Sequence, residues 1–495
     1  MGDGPVTGPL SGWRGAVIAA LWLGAGACAP PIPPLDDRQV EQWIDVLYPL
    51  PKAERLSPPV ASRLHGYAGL ALYEGLHRAD PTYRSLGGQL PGLEPFPEPE
   101  GDHDWPVVAA ELERQVLTGL IEGFAQPSTR VMVDTLAESQ IRRRVEAGVS
   151  DEVVGRSMEY AGVVATLILA RADADGFRET RTMRYEPPVG SGLWENTTSV
   201  EEYAPISVSA STDLVRLSNP SAALVPGSAN ARQLVLDRPS GADEVLPDID
   251  PTAALEPYWG RLMPWGLPTA EACAPPPPVE YSERPGSPFW EQVDAVYQAS
   301  LDLSDEERTI ALHWADNPGN TGTPPGHWVS ILRQLVGQLE LSPLQAAETF
   351  ALTGLGLADA FVSAWDEKYR SNVVRPLSFI RTFVDPSWET VVVTPPFPEY
   401  TSGHSVVSGA AGEILTSLLG DGRSFVDSTH ISSGIAPRRY ASFQDAADEA
   451  SISRLYGGIH FPMAIDAGKA QGVCVARALL DRVSTRAEGG AIGAN

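Results

Sequence analysis

The chain has 495 residues, 43% of them hydrophobic, a formal net charge of −27 and three cysteines. That length holds two domains or one large helical one. The acidic balance argues against nucleic acid and anionic membrane surfaces as partners. Cys28, Cys273 and Cys474 show no paired spacing, which argues against a thiolate or haem centre.

In chain order, Gly15 to Ala27 is an apolar run behind Arg14, too short to span a bilayer and ending in Ala25-Gly-Ala27 before Cys28. Residues 1–27 resemble an export signal. The expected localisation is therefore exported: periplasmic, extracellular or lipid-anchored at the cell envelope. A lipid anchor on Cys28 and free secretion both stay open. An oxidising compartment permits a Cys273–Cys474 disulfide without establishing one. Residues 28–35 read as a proline-rich linker, and 36–181 as an N-terminal helical region. There Ser57-Pro58-Pro59 starts a helix carrying Leu64, Leu70 and Leu72, and apolar spacing recurs over Val107 to Phe124, Val131 to Val145 and Val153 to Ala172. Small residues between Gly66 and Gly75 suit close helix packing. His65 and His77 read as surface or core residues.

Residues 182–287 are dense in Pro, Gly and Ser and predict at most short elements among ordered loops, placed to cover a pocket or mediate self-association. A helical-bundle domain, 288–484, follows, then a flexible tail, 485–495. Ser304-Asp-Glu-Glu307 is a capping-box pattern, and Ser342-Pro343 starts a helix running through Phe361 toward Lys368. His313 and His327 read as aromatic packing beside Trp314 and Trp328, ahead of a supporting role at a site. Helices over Ser405 to Leu419 and Ala464 to Val483 complete a mainly α fold, a helical bundle with long loops that binds its cofactor between facing helices.

Three polar clusters stand in fixed order: Lys368-x6-Arg375-Pro376, Ser402-Gly403-His404, and Ser453-Arg454-x5-His460. At roughly 5% usage per residue, nine specified residues with two free gaps arise by chance about once in a million chains, so coincidence is a poor explanation. The chemistry is that of an oxyanion site, since an anion leaving water needs cations and donors on several sides. Arg375 and Arg454 supply planar forks, and Lys368 supplies a compact charge. Of 36 Lys and Arg residues only Lys52, Lys368 and Lys469 are lysines, so a lysine here suggests chemistry an arginine cannot do. Gly403 admits close backbone approach at a helix N-terminus, and Ser402 adds a hydroxyl. His404 and His460 are the candidates in these clusters whose side-chain type ordinarily titrates near neutrality.

These clusters match the pattern shared by type 2 phosphatidic-acid-phosphatase-like acid phosphatases and vanadium-dependent haloperoxidases. The chain resembles the second branch, and within it the bacterial chloroperoxidase-like members. Trp365 and Phe397 resemble the aromatic neighbours of their pocket, where bromoperoxidases tend to carry histidine in place of Phe397. Pro395-Pro-Phe-Pro-Glu-Tyr-Thr-Ser-Gly-His404, His313-Trp-Ala-Asp316 and Pro324-Pro-Gly-His-Trp328 resemble bacterial haloperoxidases. The resemblance covers about residues 285–483. It implies a haloperoxidase-like helical bundle whose cofactor is vanadate, with phosphate as an alternative occupant. His460 would ligate vanadium(V), while Lys368, Arg375, Ser402, Gly403 and Arg454 would hold the oxygens. His404 would be the acid and base, Lys368 would polarise the peroxide, and Trp365 and Phe397 would line the halide pocket. The implied partners are hydrogen peroxide, chloride or bromide and a small organic acceptor, with hypohalous acid as product; a homo-oligomer is left open.

One position departs from the phosphatase pattern, which places an aspartate four residues after the last histidine to orient it as nucleophile. That position is Ala464, and Asp466 lies on a different helix face. An exported acid phosphatase with His460 as nucleophile is the alternative enzyme, and a non-catalytic oxyanion-binding protein the alternative from another class.

Overall fold

The structure is a computed structural model that describes residues 1, 33–35, 38–198 and 254–487. The expected export signal after Met1, Cys28 with most of its linker, residues 199–253 and the last eight residues of the tail lie outside the described residues.

Helix starts follow the local chemistry. Gln39–Leu47 (α1) and Pro49–Ala53 (α2) precede Pro58–Leu76 (α3), whose first turn is capped by the Ser57 hydroxyl accepting from the Val60 N–H. Asp104 caps Trp105–Leu120 (α4), and Ser150 caps Asp151–Ala174 (α6). Between them Pro127–Glu146 (α5) begins on a proline, which loses nothing at a first-turn position; Phe177–Arg181 (α7) follows. From 182 to 287 the described residues hold only two short 3₁₀ turns, Trp259–Arg261 and Ala270–Cys273.

Pro288–Leu301 (α8) leads to Asp305–His313 (α9), which carries the full Ser304/Glu307 capping box. Thr323–Gln338 (α10) is followed by the 29-residue Pro343–Ser371 (α11), capped by Ser342 and Gln345 and ended by Asn372 in the left-handed region. Pro376–Phe383 (α12), Gly403–Leu419 (α13), a two-stranded antiparallel ribbon (β1, Phe425–Asp427; β2, Arg438–Tyr440), Phe443–Tyr456 (α14) and Pro462–Arg482 (α15) complete the order.

Two seams of small residues set the packing. α3 lies along α11, with Gly69 so close to Ala351 that a Cβ would come within 2.8 Å of its Cα. α13 lies along α15, where a Cβ on Gly472 would sit 2.0 Å from the Val406 carbonyl oxygen. Only the absence of a side chain permits that approach. α11, α13 and α15 pack against one another, and α14 rests on α13. The three polar clusters sit at the ends of these helices and in the adjoining loops.

Segment 254–273 braces α11. Asp359, wholly buried, accepts the backbone N–H groups of Trp265, Gly266 and Leu267, and a disulfide joins Cys273 to Cys474 of α15. Of the expected flexible tail, residues 485–487 are held: Thr485 and Ala487 exchange backbone hydrogen bonds with Arg84 and Thr82.

Candidate active site

Lys368 closes the last turn of α11, Arg375 is the cap of α12, Ser402 the cap of α13, Arg454 lies in the last turn of α14, and His460 precedes α15. The helices are packed so that these ends meet, and all five side chains are essentially buried. A cleft, open at its mouth, reaches down to Gly403, His404, Arg454 and His460. Trp365, Phe397, Phe361 and Ile459 form its apolar walls, the first two with rings 4.9 Å apart.

His460 is fixed by its partners. Its Nδ1 lies 3.0 Å from Glu399 Oε1, and its Nε2 lies 3.2 Å from Arg375 Nη1. A guanidinium only donates, so Nε2 carries the lone pair and Nδ1–H donates to Glu399. Burial, with Arg375, Lys368 and Arg454 nearby, holds the imidazole far below its usual range and hence neutral. Glu399 also accepts the Phe461 N–H at 2.8 Å, and burial raises its carboxyl to about 7.

The other cations are more occupied than the sequence implies. Lys368 Nζ donates to the carbonyls of Pro398 (3.1 Å), Glu399 (3.0 Å) and Thr401, so it organises the turn entering Ser402 and stands behind the cleft wall. Arg375 donates to the Phe397 carbonyl (2.9 Å) and the Ile459 carbonyl (2.8 Å), tying the first cluster to the other two. Arg454 donates to the Trp314 carbonyl. The Ser402 hydroxyl accepts from the N–H and hydroxyl of Ser405. Gly403 faces Trp365 and Lys368, with room for little more than a Cβ. Burial, then the neighbouring Arg375, pushes Lys368 well below its normal pKa. A cluster of cations that depress one another's proton affinity is one that an anion would relieve.

His404 borders the cleft. Burial, then Arg454, lowers it to about 4, and its Nε2 lies 3.6 Å from Asp316 Oδ2. Asp316 belongs to a layer the sequence reading did not assemble. His327 Nδ1 lies 3.0 Å from Asp316 Oδ1, and Asp427 Oδ2 receives both His327 Nε2 (2.9 Å) and His313 Nε2 (2.8 Å). His313 and His327 do pack on Trp314, His327 stacked at 4.2 Å, yet their ring nitrogens serve this carboxylate network. The motifs holding His313, Asp316 and His327 were visible. Glu399 stands within Pro395 to His404, where no spacing announces its role, and Asp427 and His430 belong to no motif.

The position of Ala464 needs a correction in what it implies. The carboxylate missing there is supplied by Glu399, from the loop before α13, so His460 does not lack an orienting partner.

Comparisons with known proteins agree with this geometry. A family model described as the VCPO second helical-bundle domain matches residues 348–489. The crystal structure of the first bacterial vanadium-dependent iodoperoxidase superposes with a TM-score of 0.76 at 30% identity, covering 92% of this chain and 100% of that one. The chain belongs to the vanadium-dependent haloperoxidase family. Vanadium chloroperoxidase from Curvularia inaequalis is 30% identical over 129 residues, which span 21% of each of the two proteins. A bacterial vanadium-dependent chloroperoxidase, at 16% identity and TM-score 0.59 over 86% of this chain and 95% of that one, shares the fold. The helical-bundle haloperoxidase architecture expected from the three clusters is thus the one observed.

Proposed function

We propose that this haloperoxidase-family chain uses vanadate and hydrogen peroxide to oxidise chloride or bromide to hypohalous acid. The observation that carries the proposal is the His460 imidazole, neutral, with its Nε2 lone pair turned toward Arg375 and its Nδ1 held by Glu399.

The residues present fit the cofactor. His460 Nε2 is a ligand atom for a metal centre. Arg375, Arg454, Ser402 and the Gly403 N–H at the start of α13 are suited to its oxygens, while Lys368, bound to three carbonyls, would hold the turn behind them and add positive charge. When bound, vanadium(V) acts as a Lewis acid that activates hydrogen peroxide toward halide without changing oxidation state. Glu399 holds His460 in one tautomer. Burial, with Arg454 nearby, keeps His404 neutral. Asp316 Oδ2, 3.6 Å from His404 Nε2, favours a proton on that side of the ring, and His404 at the cleft would serve as acid and base. Trp365 and Phe397 exclude water from the wall where a halide would enter. Support for chloride or bromide comes from the likeness of Phe397 to chloroperoxidase-type members, and a halide panel that includes iodide sets the order.

The Glu399–His460 pair equally suits a nucleophilic histidine, so an acid phosphatase remains the second reading. The test is paired. Protein freed of phosphate and loaded with orthovanadate is assayed for peroxide-dependent halogenation of a diketone dye with each halide; without vanadate it is assayed for phosphate-ester hydrolysis. Vanadate-dependent halogenation that His460→Ala abolishes is expected. Ester hydrolysis inhibited by vanadate, with no halogenation, establishes the phosphatase. We further propose export of the protein, supported by the N-terminal apolar run and by the Cys273–Cys474 disulfide, a bond that persists in oxidising compartments.

A further inference from the structure

Behind His404 lie three histidines and two aspartates, all nearly inaccessible to solvent: His313, Asp316, His327, Asp427 and His430. They come from the end of α9 and the loop after it, from α10, from β1 and from the loop beyond β1. Asp427 is firmly placed. It accepts the N–H of Thr429 (2.9 Å), the Thr429 hydroxyl (2.6 Å), Gln334 (3.3 Å) and His313, and it receives His327 Nε2–H. With Nε2–H committed, His327 Nδ1 faces both oxygens of Asp316, at 3.0 and 3.1 Å.

His430 Nε2 points to the same place. It is buried, has no hydrogen-bond partner, and lies 3.5 Å from Asp316 Oδ1. One carboxylate oxygen and two imidazole nitrogens, all within 4.8 Å of one another, therefore surround a point that calls for positive charge. A proton on His327 would satisfy one of the three. A divalent cation satisfies them together, and a buried, unpartnered imidazole nitrogen otherwise costs free energy.

We propose that Asp316, His327 and His430 form a second metal site, for a first-row divalent cation of the zinc type, separate from the vanadate pocket and sharing a wall with it. Imidazole and carboxylate ligands suit zinc. Asp427 on the far nitrogen of His327 is the outer carboxylate that such ligands use to fix tautomer and ring orientation. His404 Nε2 lies 3.6 Å from the other oxygen of Asp316, so the ion's occupancy bears on the residue proposed as acid and base.

The test needs neither vanadate nor peroxide, so its outcome is independent of the halide reading. Full-length protein stripped with chelator is titrated with Zn²⁺ by calorimetry and with Co²⁺ by visible absorption. One equivalent bound, with the ligand-field bands of low-coordinate Co²⁺, is expected. His430→Gln should weaken Zn²⁺ affinity at least about tenfold and Asp427→Asn by about 10–100-fold, while His460→Ala leaves it unchanged. Wild-type protein that takes up no Zn²⁺ or Co²⁺ overturns the proposal. So does uptake that folded His430→Gln does not weaken, or that His460→Ala removes.

Discussion

Glu399 joins two segments that the sequence presents separately, accepting from both His460 Nδ1 and the Phe461 backbone. Glu399→Gln keeps an acceptor for Nδ1–H and should weaken vanadate binding by about tenfold, whereas Glu399→Leu leaves the imidazole free to turn and should cost about 10–100-fold. The dissociation constant measured by calorimetry decides; an unchanged value in Glu399→Leu removes the positioning role. At this scale the sequence was legible where chemistry sits in short fixed spacings. Lys368 and Arg375, Ser402 to His404, and Arg454 and His460 converge in space. It was illegible where a role depends on a partner brought by folding. Glu399 reads as one more acid in an acidic chain, and the cation of Lys368 is spent on carbonyls whose approach no spacing announces.

Among the elements, starts and caps were the readable part, because a cap is a local bargain between one side chain and the N–H groups next to it. Ser57, Ser304 and Ser342 each begin the expected helix. How closely two helices approach is settled by both at once. Gly472→Ala on α15 would place a Cβ against the Val406 carbonyl of α13, a backbone atom that cannot swing away. A loss of about 1–3 kcal/mol is expected, read as a lower denaturant midpoint; a larger loss of halogenation than of stability would show the seam also aims His404 and His460. The brace on α11 gives a pH signature. Burial raises Asp359 to about 6 despite three backbone donors that lower it, so the folded pKa exceeds the unfolded one. Its contribution to stability is full below the unfolded value, 3.8, and is lost as pH rises through about 6. Subtracting the Asp359→Asn stability curve from the wild-type curve should therefore give a difference that falls between about pH 4 and 6; a flat difference contradicts the assignment.

For the whole molecule, a net charge of −27 surrounds a pocket built from cations. A long-range field of that sign would repel small anions such as the proposed vanadate and halide, leaving their attraction to the short-range site. The disulfide spans 201 residues and ties segment 254–273 to α15. Removing it with Cys474→Ser should cost about 2–5 kcal/mol, seen as a lower melting temperature that reductant no longer changes. This tie also has an order in time. Cys273 is synthesised long before Cys474, so the bond closes only after α15 has been made, and the brace on α11 stays unlocked until the chain is almost complete. During that interval the thiol available to compete is Cys28, the third cysteine in the sequence. Acylation there, in the lipid-anchored form of the export proposal, would cap that competitor and leave Cys273 a single partner to wait for.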